Sequence, residues 1–192
     1  EFDLGPISDA DSTVNSVDEN AATNAGVGIT ALAIDADAEF NDVTYSMDDT
    51  GGGRFRIDPT TGVLTVDDGS LLDREIASSH QVIVRAVSSD GSQQTQTFEI
   101  AVNDVDEFDV TATLDVDVAP DQVNENALIG TAVGVTVVAS DADATNHGVT
   151  YFLDDDDSGR FAVDPVTGVV TVASGIDREA LGPLRTIVIR SQ

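Results

Sequence analysis

Apolar and polar residues alternate along much of this chain with a period of two. Val82, Val84 and Ala86 fall on one face of an extended segment, and Ile83 and Arg85 on the other. Phe98, Ile100 and Val102 alternate with Glu99, Ala101 and Asn103 in the same way. That period belongs to a half-buried β-strand, because successive strand side chains point to opposite faces. The pattern predicts strands over 27–34, 43–47, 54–58, 63–66, 80–88 and 94–103, preceded by a first strand before Glu19. Turn residues separate them. In Asp58-Pro59-Thr60-Thr61-Gly62, Pro presets φ and Gly accepts the positive φ that a tight hairpin return requires. About seven short strands in about 100 residues is the count of an immunoglobulin-like sandwich.

Much of the pattern then returns at a shared offset. Asp35-Ala36-Asp37 comes back as Asp141-Ala142-Asp143, Glu19-Asn20 as Glu125-Asn126, and Glu1-Phe2-Asp3 as Glu107-Phe108-Asp109. A repeat this long is a domain, not a solenoid unit. The expected fold class is therefore all-β, with two tandem immunoglobulin-like Greek-key β-sandwiches over 1–106 and 107–192. Arg190 aligns with Arg85, so the strand carrying Phe98, Ile100 and Val102 has no counterpart in the second copy. Repeat 2 is expected to lack its C-terminal strand. It should then expose apolar positions and an unpaired edge, unless another segment fills the gap. Because the first residues sit on the repeat boundary, the chain reads as a piece of a longer protein.

Charge changes the picture next. There are 36 acidic residues against 8 basic ones, a net charge of −28, and every basic residue is Arg. Nucleic acid is not an expected partner, since phosphate contacts need clustered Lys and Arg. An anionic membrane surface fails for the same reason, and no apolar run is long enough for membrane insertion. With no Cys there is neither disulfide nor thiolate chemistry. The hydrophobic fraction of 41% is enough to fill cores despite the charge.

The acidic residues are not scattered. Glu19-Asn20, Asp35-Asp37 and Leu72-Asp73-Arg74-Glu75 recur in order as Glu125-Asn126, Asp141-Asp143 and Ile176-Asp177-Arg178-Glu179. Asn103-Asp104-Val105-Asp106-Glu107 stands at the boundary of the copies. Two carboxylates about 4 Å apart repel by roughly 4 kcal/mol at an effective dielectric near 20. Several gathered together need a cation. Oxygen donors on loops suit Ca²⁺, which accepts six to eight oxygens in flexible geometry, whereas zinc favours His and Cys.

At these motifs the chain resembles the cadherin repeat, in motif order and over nearly its full length. Ile57-Asp58-Pro59-Thr60-Thr61-Gly62 and Tyr45-Ser46 add to the likeness. It is similar, more closely still, to the cadherin-like repeats of large bacterial secreted adhesins of the RTX and rhizobial autoaggregation type. The resemblance implies a secreted, extracellular or cell-surface array with Ca²⁺ at each junction between repeats. Carried over residue by residue, it assigns Glu19, Asp73 and Glu75 of copy one, Asp104, Asp106 and Glu107 of the linker, and Asp141, Asp143 and Asn146 of copy two to one junction. Asp35 and Asp37 then belong to an upstream junction, and Glu125, Asp177 and Glu179 to a downstream one. Three departures reduce the expected number of ions. Phe108 stands where the linker pattern wants Asn, Ser88 where a later Asp is expected, and Phe40 where copy two has Asn146.

Other candidates read as structural. Arg74 and Arg178, each between two acids, are expected to form ion pairs. Arg54 and Arg160 are expected to lay their stems over the sheet. Asp154, Asp156, Ser158 and Gly159 fit a short calcium-loop spacing but read better as an acidic turn into Arg160 and Phe161. Tyr45 and Tyr151 read as core. His80 and His147 lack any nucleophile pattern nearby, and no enzyme is expected. Three roles stay open. The first is a calcium-dependent adhesin module that engages acidic cell-surface or matrix polysaccharide in aggregation or biofilm formation. The second is a passive calcium-stiffened spacer, and the third is homophilic adhesion to another copy of itself.

Overall fold

The computed structural model of the chain describes residues 3–36 and 41–192. Asp37 and Phe40, both singled out above, lie outside the described residues, as do Glu1 and Phe2. The chain divides into two compact units, Glu1–Val105 and Asp106–Gln192.

Unit 1 is built from β1 (Ser8–Asp9), β2 (Ser16–Asp18), β3 (Gly26–Leu32), β4 (Val43–Asp49), β5 (Phe55–Ile57), β6 (Val63–Val66), β7 (Ser79–Ser88) and β8 (Gln93–Asn103). One sheet has the order β1-β3-β6-β5 and the other β2-β8-β7-β4. The alternation seen in the sequence sets which faces meet. Val27, Ile29 and Ala31 of β3, with Phe55, Leu64 and Val66, point inward from the first sheet. Val82, Val84, Ala86, Phe98, Ile100 and Val102 point inward from the second, and Val82, Val84, Ala86 and Ile100 are completely buried.

The single strand expected before Glu19 is instead two strands that serve different sheets. β1 pairs antiparallel with β3, and β2 runs parallel to β8. Carboxylate-capped turns make the crossing. Asp9 Oδ1 accepts the N–H groups of Asp11 and Thr30, and Asp11 Oδ1 accepts the N–H of Thr13. These local bonds offer the backbone an alternative to the ladder and bend it from one sheet to the other.

The Asp58 hairpin forms as expected. Asp58 Oδ1 accepts from the N–H groups of Thr60 and Thr61, and Gly62 sits at φ 73°. A Cβ on Gly62 would lie 2.2 Å from the carbonyl oxygen of Ala31. Gly168 repeats the device in unit 2, at φ 70° and 2.0 Å from the carbonyl oxygen of Val137.

Unit 2 contains β9 (Leu114–Asp115), β10 (Ala132–Val138), β11 (Tyr151–Asp155), β12 (Phe161–Val163), β13 (Val169–Val172), the short α1 (Arg178–Leu181) and β14 (Val188–Ser191). β9-β10-β13-β12 is one sheet and β11-β14 the other. Among the described residues of this unit no strand occupies the place of β8. Two further consequences follow. Residues 122–124, aligned with β2, are not a strand, because β2 pairs only with β8. Residues 184–187, aligned with the start of β7, are not a strand either. Ser79–Val82 pair with β8 alone, whereas β4 pairs with Ile83 onward. The main buried cluster of unit 2 is Val133, Phe161, Val170 and Val172, with Val137 and Tyr151 buried outside it and Ile187 and Ile189 only partly buried. No helix of the described residues is long and apolar enough to cross a membrane.

Candidate functional site

In unit 1 a Glu carboxylate is buried at the end of β2. Glu19 is 2% exposed. Its Oε2 accepts the N–H of Arg74 at 2.6 Å and its Oε1 the N–H of Val105 at 2.8 Å. Two backbone donors from distant segments thus reach the two oxygens of this buried carboxylate. Asn20, the next residue, adopts φ 54°, a left-handed conformation that Asn tolerates better than most residues. Its N–H reaches the carbonyl of Leu72 at 3.3 Å and so joins the Glu19 turn to the segment carrying Asp73. Asp73 in turn caps its own loop through the N–H of Ile76 at 2.8 Å. The result is that Glu19, Asp73 and Glu75 each bring a carboxylate oxygen within 4.8 Å of the others.

Unit 2 gathers the aligned trio. Glu125, Asp177 and Glu179 also lie within 4.8 Å of one another, but all three are exposed. Asn126 has φ 57°, and its N–H reaches the carbonyl of Ile176 at 3.1 Å. Glu125 accepts the N–H of Arg178 at 3.2 Å, and Asp177 caps α1 through the N–H of Ala180 at 2.9 Å. Nothing in unit 2 supplies the second donor that Val105 gives Glu19. In unit 1 that second donor comes from the segment after β8.

The Asp-Ala-Asp motif forms a third acidic centre. Asp143 is 3% exposed, and its Oδ1 accepts the N–H groups of Glu107 at 3.1 Å and Phe108 at 3.3 Å. Asp141 Oδ1 accepts the N–H of Asp143 at 3.2 Å. The Asp106 carboxyl is pushed above its ordinary value. The first cause is its carboxyl-to-carboxyl contact with Asp143, followed by the charge of Asp143, desolvation, and the charges of Asp141 and Asp109. With Asp106 ionised, the buried Oδ2 of Asp143 has no hydrogen-bond donor. Asp109 is a contributor that motif spacing missed. Glu107 and Asn146 are exposed, and Asp104 is half-buried.

Asp35, the counterpart of Asp141, is 8% exposed and accepts the hydroxyl of Ser88. Ser88 therefore supports the acid as a neutral donor where the cadherin pattern wants a second carboxylate. Its role was legible only as a departure from that pattern.

Several structural expectations can be settled locally. The ion pairs expected of Arg74 and Arg178 do not form. Among the described residues neither guanidinium has a carboxylate within 4.0 Å, and it is their backbone N–H groups that serve Glu19 and Glu125. Arg54 and Arg160 use their heads, clamping the turns at Gly51 and Asp157 through carbonyl oxygens. The acids of 154–157 are engaged within the fold. Asp154 pairs with Arg190, Asp155 and Asp156 accept backbone N–H groups, and Asp157 pairs with Arg185. Tyr45 and Tyr151 are 7% exposed, and their hydroxyls accept the N–H groups of Ala33 and Ala139. His80 packs its ring 6.3 Å from that of Phe55, and desolvation, with the charge of Arg54, lowers its pKa.

The donors at these centres are carboxylate oxygens, crowded and in three cases buried, at Glu19, Asp35 and Asp143. Each assembled trio would carry three like charges, and Asp143 has a buried oxygen without a donor. A hard divalent cation fits such a set, and calcium fits loop-borne oxygens better than magnesium, which demands an octahedral site and dehydrates reluctantly.

The sequence profile of the cadherin domain matches residues 13–103 and 121–189. The Drosophila melanogaster protocadherin-like wing polarity protein stan is 31% identical over 171 residues, which cover 82% of this chain and 5% of that protein. Mouse cadherin-23 is 32% identical over 161 residues, covering 82% of this chain and 5% of that protein. Among solved structures, mouse cadherin-23 EC22-24 gives a TM-score of 0.66 at 29% identity, covering 92% of this chain and 56% of that one. The protocadherin gammaB4 extracellular domain gives 0.75 at 25% identity, covering 98% and 29%. The chain thus spans a small part of the curated relatives it matches.

Proposed function

The chain belongs to the cadherin domain family, a family of extracellular adhesion modules and not of enzymes, and on that premise we propose that it is a calcium-dependent adhesion module. The observation that carries this reading is the carboxylate trio of Glu19, Asp73 and Glu75, built around a buried glutamate in a chain of net charge −28. In unit 1 the proposed calcium ligands are Glu19, Asp73, Glu75 and Asp104, with Asp35 and Asp37 as a separate set. In unit 2 they are Asp106, Glu107, Asp141, Asp143 and Asn146, with Glu125, Asp177 and Glu179 as a separate set. Bound calcium would supply positive charge where the fold concentrates negative charge, and so relieve the repulsion along 104–107. The chain's own residues do the positioning. Arg74 and Val105 hold Glu19, Glu107 and Phe108 hold Asp143, and Ser88 holds Asp35.

The finer reading is a secreted bacterial adhesin repeat that engages acidic polysaccharide in aggregation or biofilm formation. Its support is the sequence resemblance to such repeats; the relatives named above are animal proteins. Calorimetric titration with Ca²⁺ and with Mg²⁺ tests the coarser reading. Heat and saturation with calcium and little with magnesium are expected, and no binding of either would end it. Glycan-array binding that EDTA abolishes would support the polysaccharide reading. Silence on the array together with calcium-dependent dimers in ultracentrifugation would replace it by adhesion between copies, and silence in both would leave a spacer.

A further inference from the structure

The sheet β9-β10-β13-β12 corresponds strand for strand to β1-β3-β6-β5 of unit 1. Its inward positions are held by Val133, Val137, Phe161, Val170 and Val172. The residues that alternate with them point outward. Three cross-strand rows make up this outer face. Ala162, Thr171 and Ala132 stand side by side in the first. In the second Val169 lies opposite Thr136, whose carbonyl accepts the N–H of Val116 at 2.9 Å. In the third Val138 pairs with Leu114. An antiparallel sheet with one solvated face commonly places polar residues there. Here the outward strand positions, among the described residues, hold no charged side chain, in a chain where 23% of residues are charged. Leu114 is 66% exposed and Val116 51%. Unit 1 shows that the fold does not require this. Leu32 and Val63, aligned with Val138 and Val169, are common to both faces, but unit 1 has Ser8 for Leu114, Ala10 for Val116 and Arg56 for Ala162. Arg56 pairs with Asp67 at 3.7 Å, and Ala173 stands in place of Asp67 in unit 2. Each of these four differences makes unit 2 the more apolar.

We propose that this outer face is a self-association surface, on which unit 2 of one molecule packs face to face against unit 2 of a second copy. Charge selects the occupant. A basic partner needs carboxylates to pair with, and the outward positions offer none. Elsewhere a second copy meets the repulsion of a net charge of −28. What fits an uncharged apolar face is another such face, and two copies supply the same one. The contact is then isologous, with residues of the patch meeting their own counterparts about a two-fold axis. Two sheets of equal twist pack in this way about 10 Å apart. The edge of the sheet favours a face contact over strand pairing. β9 has only two residues, and the carboxylates of Asp115 and Asp117 take up N–H groups of Asp117, Thr136 and Ala119 along it. Charge on a short edge strand opposes edge-to-edge pairing. Size sets the strength. Four strands about 4.8 Å apart make a small face, so the contact falls in the weak, transient class below about 1,200 Å². The proposal deepens the adhesion reading by naming a partner and a face, and it does not require calcium.

Sedimentation of the full chain in EDTA, from micromolar to millimolar protein, tests the face apart from the calcium centres. The weight-average sedimentation coefficient should rise with concentration toward that of a dimer. Raising the salt about tenfold should tighten the association several-fold, because it screens the like charge of the two copies. Amide chemical shifts that move with concentration should map to β9, β10, β12 and β13. A variant carrying Leu114→Ser, Val116→Ala, Ala162→Arg and Ala173→Asp takes residues with which unit 1 already folds, and it leaves the net charge unchanged. It should weaken association at least tenfold. Val138→Asp, which sets one like charge per copy on the face, should do the same by another route. Amide exchange of β10 and β13 checks that unit 2 stays folded in both. A sedimentation coefficient that stays constant up to millimolar protein at high salt would overturn the proposal. So would a dimer that both folded variants leave intact, or one that forms only when calcium is added. Such a failure would leave the calcium reading standing, since calorimetric titration decides that reading separately.

Discussion

Units 1 and 2 carry the same motifs in the same order, yet unit 1 has a deep core and a carboxylate trio built on a buried glutamate, whereas unit 2 has a shallower core and an exposed trio. Glu19 is buried and doubly held; Glu125 is exposed and holds one N–H. Ile29 is 1% exposed, whereas Val135 is half-buried. The differences trace to one element. β8 pairs with β2 and with the first half of β7, closes the sandwich, and leads into Val105, which caps Glu19. A sandwich strand is thus more than its own ladder. In unit 1 it is the ladder partner of β2 and of the first half of β7, and the residue that follows it caps a carboxylate 86 positions away in the sequence. Local motifs such as the Asp58 and Asp164 hairpins are indifferent to the difference.

The largest expected effect tests the core. Ile100→Ala in unit 1 should cost about 2–5 kcal/mol, because a fully buried branched side chain leaves a cavity. Ile187→Ala in unit 2 should cost about 1 kcal/mol or less, since the side chain is only partly buried and borders an open groove. Urea unfolding followed by domain-resolved amide exchange would separate the two. Equal costs would mean that unit 2 closes its core in solution by some other route, and the comparison would break.

Much of this architecture was legible from period and turn chemistry. Strands expected over 63–66, 80–88 and 94–103 are found at Val63–Val66, Ser79–Ser88 and Gln93–Asn103. They are regular alternations whose buried faces leave little freedom of register. What was not legible depended on partners distant in sequence. The division of the first strand into β1 and β2 rests on carboxylate-capped turns that look like ordinary polar residues. The loss of strand at 184–187 could not be read from Leu184 to Ile187, whose composition is as strand-like as that of Ser79 to Val82. At the candidate site, the grouping of Glu19, Asp73 and Glu75 was visible as recurring motifs. The part played by the Arg74 backbone was not, because a side chain that looks like an ion-pair partner draws attention from its own N–H.

The second effect sharpens the comparison at the acidic centres. Glu19→Ala should destabilise unit 1 by about 1–3 kcal/mol without any metal, because it leaves the N–H groups of Arg74 and Val105 without their acceptor. Glu125→Ala should change unit 2 by less than about 0.5 kcal/mol, the range of ordinary surface substitutions. Both variants should lose calcium binding at their own trio, measured by calorimetry. A Glu125→Ala cost as large as that of Glu19→Ala would show that exposure is not what separates the two motifs.

Metal should act on top of this. At ten times its Kd, one calcium site adds about 1.4 kcal/mol by mass action, and extracellular calcium sites have Kd values near 10⁻⁴ to 10⁻³ M. Melting in EDTA, Mg²⁺ and Ca²⁺ should therefore give a rise with calcium alone. The rise should be larger for unit 1, whose ligands are already held in place by backbone donors and lose less freedom on binding. Identical melting curves in all three conditions would count against calcium at either trio.

The smallest effect should be the same in both units, which makes it the internal control. Hydrogen bonds lower the pKa of Asp58, chiefly from the N–H of Thr61 and then of Thr60, and that of Asp164, chiefly from the N–H of Thr167 and then of Val166. A carboxylate whose pKa is depressed in the folded state contributes stability that is fully present above its unfolded value of about 3.9 and is lost as pH falls through the folded value. Asp58→Asn and Asp164→Asn keep an acceptor oxygen but do not titrate. Each variant should retain most of its stability at neutral pH and show a shallower acid limb than the parent below about pH 4. Urea midpoints measured against pH in EDTA would report this without interference from calcium. The two hairpins are built from bonds spanning two or three residues, so the change should be equal in the two units despite their different cores. A response confined to Asp58 would show that the strand closing unit 1 reaches even the most local turn in the fold.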